Sequence, residues 1–252
     1  MTQHHNHLVQ NQFGPRANAY VASSTHASGA DLQRIAAIAA ATAPSHSLDL
    51  GCGGGHVAFS LAAGSARVTA SDLSPEMTTA VAAEAERRGL SNIDTCCASS
   101  AALPFGDETF EMLACRFSVH HWHDVPAGLK EARRVLRKSG VAVFADVIAP
   151  PTAAADTYLQ AVELLRDPSH VRDYSELEWR AMLAEAGFAI TAITKGRLRM
   201  DFADWIARMS TTPDRAAAVR TLQGLASSEV ASHFAIEPDG SFTIDTILIE
   251  AV

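Results

Sequence analysis

Leu48-Asp49-Leu50-Gly51-Cys52-Gly53-Gly54-Gly55-His56, residues 48–56, is an apolar run that stops at an acid and a cluster of glycines and then turns helical. It reads as strand, tight loop and helix start, the layout of a nucleotide-type cofactor loop. Glycine is needed because only a residue without Cβ lets the backbone turn sharply and lie against a ligand. The spacing discriminates between cofactors. A dinucleotide fingerprint wants a third glycine three residues after the second, where the helix opens and a pyrophosphate rests on its N-terminus. That position is His56, which speaks against an NAD(P)-dependent oxidoreductase without removing it as an alternative.

Outward from the loop, β and α patterns alternate. Asp31 to Ala43 has apolar residues at helical spacing and ends before Pro44, so a helix leads into a first strand at 46–50. A helix at 55–64 follows the loop, and the strand Arg67-Val68-Thr69-Ala70-Ser71 ends at Asp72. Ser74-Pro75 is an N-cap with proline at the first helical position and opens a helix to Arg88. Strands near 93–97 and 109–116, a helix near 125–137 and a strand near 141–147 extend a pattern that predicts a parallel sheet wound on both faces. Beyond Pro150-Pro151 come a helix near 153–166, the capping box Ser175 to Glu178 starting a helix that stops at Gly187, and a strand near 188–194. Residues 201–233 read as helical, and Phe242 to Val252 as a final strand after the turn Pro238-Asp239-Gly240. The predicted divisions are an N-terminal helical segment over the cofactor site (1–45), a cofactor-binding core (46–150), and a part completing the sheet (151–252) with a cap at about 201–233.

At 252 residues and 48% apolar content, the chain can bury a sizeable α/β core. A net charge of −8 and a pI near 5.7 leave no basic footprint for nucleic acid, and none is expected as a partner. The four cysteines, 52, 96, 97 and 115, lack C-x-x-C spacing and read as reduced thiols of a cytoplasmic protein. The N-terminus has no leader pattern and no segment reaches 18 uninterrupted apolar residues, so neither export nor integral membrane association is expected. His4, His5 and His7 read as a polar terminal tail rather than a metal site.

Asp72 stands 21 residues after Gly51, at a strand end, where a carboxylate can accept two hydrogen bonds from ribose hydroxyls. In Ser118-Val119-His120-His121-Trp122-His123-Asp124, three histidines so close on a strand-to-helix turn are not expected all to point inward, so no metal site is expected. His121 or His120 is a candidate general base, since imidazole titrates near neutrality; packing against cofactor or sheet edge is the other reading. Arg116 ends the fourth strand at the sheet's carboxyl edge and can meet a cofactor, an acidic substrate or a surface partner. Tyr20 either closes over a cofactor's cationic end or packs in the core. In the C-terminal part, His170, Arg172, Asp173, Tyr174, Trp205 and Met209 mix polar and large apolar groups, as an apolar substrate with a polar reacting end would need.

The D-x-G-x-G-x-G pattern of Asp49, Gly51, Gly53 and Gly55 resembles motif I of the class I S-adenosylmethionine-dependent methyltransferases. Ala98-Ser99-Ser100-Ala101-Ala102-Leu103-Pro104-Phe105, Phe110-Glu111-Met112-Leu113, the His120-His121-Trp122-His123-Asp124 turn and Arg134-Val135-Leu136-Arg137-Lys138-Ser139-Gly140 make it similar to the methyltransferase type 11 group, which includes quinone-biosynthesis C-methyltransferases. The resemblance covers about residues 46–150. It implies a Rossmann-like, doubly wound, seven-stranded sheet with the last strand antiparallel, a helical cap, and methyl transfer from S-adenosyl-L-methionine to a small or lipophilic metabolite. A methyltransferase-like binding protein without catalysis is the rival within the same resemblance. The implied cofactor set is Tyr20, Asp49, Gly51, Cys52, Gly53, Asp72, Leu73, Met77, Ser99, Ser100, Ala101 and Arg116. In it Asp49 and the loop hold the methionine end, Asp72 the ribose, and Leu73 with Ser99 to Ala101 the adenine. Ser99 replaces an aspartate that bonds the adenine amino group, and Glu111 replaces the aspartate of F-D. A homodimer is compatible with the sequence.

Overall fold

The computed structural model describes residues 2–22 and 28–252. Helices α1 (Thr2–Phe13) and α2 (Ala17–Val21), joined by a 3-10 turn, precede α3 (Ala30–Thr42). Strand and helix then alternate through β1 (Ser47–Leu50), α4 (His56–Leu61), β2 (Val68–Asp72), α5 (Pro75–Arg87), β3 (Ile93–Cys97), β4 (Phe110–Arg116), α6 (Val125–Val135) and β5 (Leu136–Val147). The chain continues with α7 (Ala153–Arg166), α8 (Glu176–Ala186), β6 (Ile190–Met200), α9 (Phe202–Arg208), α10 (Pro213–Leu225), α11 (Ser228–His233) and β7 (Phe242–Ala251).

The strands form one sheet in the order β3-β2-β1-β4-β5-β7-β6. β1 to β5 are parallel, and β7 runs antiparallel between β5 and β6. This is the seven-stranded sheet with an antiparallel last strand that the sequence pattern and its resemblance imply. β1 is buried along its whole length, as a central parallel strand covered on both faces must be. Asp49 is level with Ala70 of β2 and Ala114 of β4, so the carboxyl ends of these strands open at one edge. Strand order reverses between β1 and β4, and a crevice opens at such a switch point.

Three apolar clusters hold the layers. Ile35, Val57, Leu61 and Val81 pack on Met112 and Val143 across one face. Leu129, Val135, Trp179 and Leu183 pack on Phe144 and Ile249 across the other. A third cluster, with Leu159, Trp205, Val219 and Phe234 over Val147, Phe242 and Ile244, brings α7 and α9 to α11 onto the carboxyl edge of the sheet. Each buried large aliphatic side chain contributes about 1.5–3 kcal/mol, which is ample to fix helices whose own propensity is modest.

Local expectations held in most places: Ser74 caps α5, and the Ser175–Glu178 capping box opens α8, which ends at Gly187 in the left-handed region. Three segments differ. Helix α6 stops at Val135 because Leu136 already pairs with Phe110, with an irregularity before Met112 that lets β5 begin early. β6 runs on to Met200, paired with β7 throughout, although its exposed edge carries too few apolar residues to signal a strand. His4, His5 and His7 lie on helix α1 rather than in a tail, because α1 is anchored: His5 Nε2 donates to His121 O at 2.9 Å and Gln10 Nε2 to Leu73 O at 2.9 Å. Among the described residues, no helix is long and apolar enough to cross a membrane.

Candidate active site

The loop after β1 takes its shape from close approaches. Gly51 has φ +71, and a Cβ there would lie 2.0 Å from Ser118 Oγ; one on Gly54 would lie 2.6 Å from the Tyr20 carbonyl. Gly51 N and Cys52 N donate to Ser71 O at 2.8 and 2.9 Å, and Gly53 N donates to Asp72 Oδ2 at 2.8 Å. Above Gly53 a Cβ would meet nothing within 4 Å, so the loop leaves room on its cavity side for a ligand. Asp49, only 1% exposed, accepts from Ala58 N at 2.8 Å and ties α4 to β1. Burial, with Asp72 adding to it, pushes its carboxyl up to about 8, so it holds a proton at neutral pH unless a cation stands near. His56 donates from Nε2 to Tyr20 O at 2.9 Å. The position that a dinucleotide fingerprint leaves to glycine is thus filled by an imidazole that pins the N-terminal segment over the loop.

Around this loop one cavity gathers residues from both halves of the chain. Its walls include Tyr20, Asp49, Gly51, Cys52, Gly53, Asp72, Leu73, Met77, Ser99, Ser100, Ala101, Arg116, His120 and His121. They include every cofactor-binding and general-base candidate read from the sequence. Tyr20 stands edge-on to Phe13, which also lines the cavity, and its hydroxyl reaches Met209 Sδ at 3.0 Å. Asp72 accepts from Ser74 N through Oδ1 at 2.9 Å. Ser99 Oγ accepts from Ala101 N at 3.3 Å, which turns the chain after β3. Arg116, its side chain 6% exposed, pairs with Asp31 of α3, Nε to Oδ2 at 2.5 Å, while lining the cavity. Glu111 lies outside the cavity: its carboxylate accepts from Ser45 N at 2.6 Å and pairs with Arg137 at the far end of β4. Its departure from the F-D pattern therefore does not reach the cavity.

The turn Val119–His121 brings His120 and His121 to the cavity side by side. The reason is Asp146, the lone acid of the apolar β5. Its Oδ2 accepts from Val119 N at 3.1 Å, and its Oδ1 lies 2.6 Å from His120 Nδ1. Burial disfavours charge on His120, but Asp146, with Asp173 and Glu163 behind it, outweighs that and raises the imidazole to about 9. His121 goes the other way. Burial and the charge on His120, whose ring centre is 4.2 Å away, lower it to about 4. At neutral pH His120 is a cation and His121 a neutral imidazole. His123, stacked on His5, lines the cavity as well.

The C-terminal part supplies the opposite wall: Glu163, Arg166, Asp167, Asp173, Leu198, Met200, Trp205 and Arg208. Of the residues singled out there from sequence, Asp173 and Trp205 line the cavity, and Met209 meets Tyr20. His170 bonds Gln160, and Arg172 is spent on Asp156 and Glu178. Tyr174 packs against the core cluster beneath α8. Asp146, Glu163 and Asp167 were not read from the sequence. Asp146 had a signal, an acid inside Val141-Ala142-Val143-Phe144-Ala145-Asp146-Val147; Asp167 precedes Pro168 and reads as a turn. Among the described residues no three His, Cys, Asp or Glu side chains are set to hold a metal.

Residues 48–144 match a family described as a methyltransferase domain. The chain is 41% identical over 197 residues to YafE of Escherichia coli, an uncharacterized protein, covering 78% of this chain and 95% of that one. It is 31% identical over 245 residues to YcgJ of Bacillus subtilis, described as an uncharacterized methyltransferase, covering 95% and 97%. The crystal structure of YcgJ matches at TM-score 0.81 and 30% identity, over 87% of this chain and 97% of that one. A demethylmenaquinone methyltransferase of Chlorobaculum tepidum is 36% identical over 107 residues, 42% of each chain.

Proposed function

The chain belongs to the class I methyltransferases, and on that premise we propose that it moves a methyl group from S-adenosylmethionine to a small or lipophilic metabolite. One observation carries the reading: a single cavity at the switch point of the sheet is lined at once by the glycine loop, the strand-end acid Asp72, the Ser99 to Ala101 turn and a histidine pair.

The bound cofactor supplies an electrophilic sulfonium methyl. The protein's residues bind and orient around it. Asp49 and the loop from Gly51 to Gly55 take the methionine end, where an ammonium returns Asp49 to its carboxylate form. Asp72 takes the ribose, since each of its oxygens accepts one backbone N–H and keeps a lone pair. Leu73 and Ser99 to Ala101 take the adenine, without the charge an aspartate at position 99 would bring. Helix α1, tied down at Gln10 and His5, and α9 wall the cavity with Val9, Phe13 and Trp205. Alignment of this kind contributes about 7–11 kcal/mol, so a weak base suffices. His121 is that base, because it is neutral at physiological pH and His120 is already charged.

Titration calorimetry with S-adenosylhomocysteine, beside NADH and repeated on Asp72→Ala, tests the reading. Binding of the first ligand alone, weakened by the substitution, is expected. Binding of NADH instead, or of neither, would overturn it.

A further inference from the structure

The acceptor side of the cavity contains a hydrogen-bonding mismatch whose chemistry selects a substrate. Asp167, at the end of α7 and only 1% exposed, lines the cavity. Its Oδ1 accepts from Ser169 N at 2.8 Å and from Ser169 Oγ at 2.6 Å. Its Oδ2 is buried and has no hydrogen-bond partner among the described residues. His121 Nε2 lies 3.9 Å from that oxygen.

The tautomer of His121 follows from its neighbours. Its Nδ1 stands 3.2 Å from Ser169 O and 3.4 Å from Ser169 Oγ. The carbonyl can only accept, and the one hydroxyl hydrogen of Ser169 is given to Asp167. Nδ1 must therefore carry the proton, which leaves Nε2 with a bare lone pair. Two acceptors, Asp167 Oδ2 and His121 Nε2, then face one another with no donor between them. The nearby arginines do not supply one: Arg166 pairs with Glu163 at 3.3 Å, and Arg208 has its own Nε without a partner among the described residues. A buried acceptor left unmatched is costly, and a ligand that brings donors removes that cost.

We propose that the methyl acceptor is an amine with an apolar body, its nitrogen donating to both Asp167 Oδ2 and His121 Nε2. The proposal rests on the methyltransferase reading above. A primary amine carries two N–H hydrogens beside the lone pair that takes the methyl group, and so satisfies both acceptors, whereas a hydroxyl carries one. The charge balance agrees. In N-methylation the nitrogen lone pair forms the N–CH3 bond as the C–S bond of a sulfonium donor breaks, leaving a thioether. The nitrogen becomes cationic, a carboxylate beside it stabilises that charge, and its excess proton passes to His121 Nε2. A phenolate or enolate acceptor would instead bring a negative charge against Asp167. Leu198, Met200, Trp205 and Ile244, on the same wall, suit the apolar body.

The test uses the full chain saturated with S-adenosylhomocysteine and three probes of similar shape, benzylamine, benzyl alcohol and ethylbenzene, titrated calorimetrically. Benzylamine is expected to bind at least about tenfold tighter than either of the others, the equivalent of one charge-assisted hydrogen bond. Asp167→Asn, which keeps an oxygen for Ser169 but turns the other position into a donor, is expected to remove that preference while leaving S-adenosylhomocysteine affinity unchanged. Equal binding of the three probes, preference for the alcohol, or a preference that survives in Asp167→Asn overturns the proposal. Loss of S-adenosylhomocysteine binding in that variant also overturns it, since Asp167 would then serve the cofactor. The probe series on the unaltered protein decides the question even where the variant is unstable. Failure of the unaltered protein to bind S-adenosylhomocysteine removes the methyltransferase premise itself, a result distinct from all of these.

Discussion

The Asp72 carboxylate accepts a hydrogen bond from the Gly53 amide at 2.8 Å, so the acid at the end of β2 also shapes the glycine loop beside it. A second bond, from Ser74 N at 2.9 Å, sets the start of α5. Asp72→Ala loses both, together with the acceptors proposed for the ribose. Hydrogen bonds to a charged group contribute about 1.5–3 kcal/mol each, so S-adenosylhomocysteine affinity should fall by roughly ten- to a hundredfold or more. Asp72→Asn should lie between, because an amide presents one acceptor and one donor. Calorimetry on the three proteins would contradict this if Ala and Asn were equivalent.

Two neighbouring glycines should respond differently to alanine. At Gly53 a new Cβ meets nothing within 4 Å, and its φ of +48 makes the cost conformational, about 1–2 kcal/mol. At Gly54 the new Cβ would press on the backbone of Tyr20 and Val21, at 2.6 and 2.9 Å, which cannot rotate away. Gly54→Ala should displace the N-terminal helices, weaken S-adenosylhomocysteine binding more than Gly53→Ala, and make the chain before α3 easier to cleave in limited proteolysis. Equal effects of the two substitutions would refute the close approach.

What the sequence made legible was what local rules govern. Glycines where no Cβ fits, an acid after a strand, Ser74 before Pro75 and an apolar run as a central strand each carry their reason in neighbouring residues. Asp167 does not: an acid before Pro168 is an ordinary turn residue, and only tertiary packing brings it to His121 across 46 positions of chain. Helix α1 was hidden for a related reason. Its polar run, with His4, His5 and His7, is held by contacts to His121 and Leu73 rather than by an apolar face. The outer half of β6 escaped because one neighbour, β7, is enough to hold an edge strand.

The departures Ser99 and Glu111 should separate in experiment. Ser99 lines the cavity and accepts from Ala101 N, a role an aspartate can also fill. Ser99→Asp should raise S-adenosylhomocysteine affinity about three- to tenfold by adding a charged acceptor for the adenine amino group. Glu111→Asp should leave affinity unchanged, because that side chain bonds Ser45 and Arg137 away from the cavity. A binding change on altering Glu111, or none at Ser99, would reverse this assignment.

The His120–Asp146 pair should write itself into the pH dependence of stability. His120 is raised to about 9 in the folded chain, against an ordinary value of 6.5. A group whose folded value is raised adds stability that is fully present below the unfolded value and disappears as pH climbs through the folded one. The contribution is therefore complete below pH 6.5 and is lost between 6.5 and about 9. Because the histidine is mostly buried and Asp146 fully so, solvent screens the pair little. Its size is on the order of a few kcal/mol, or roughly 5–10 °C in melting temperature for a chain of this length. His120→Gln removes the titrating group. The unaltered protein should melt well above the variant at pH 6, and the gap should narrow steadily toward pH 9.5. Curves that run parallel across this range would mean that His120 is not the charged partner of Asp146, and with it would go the reason for assigning the proton-accepting role to His121.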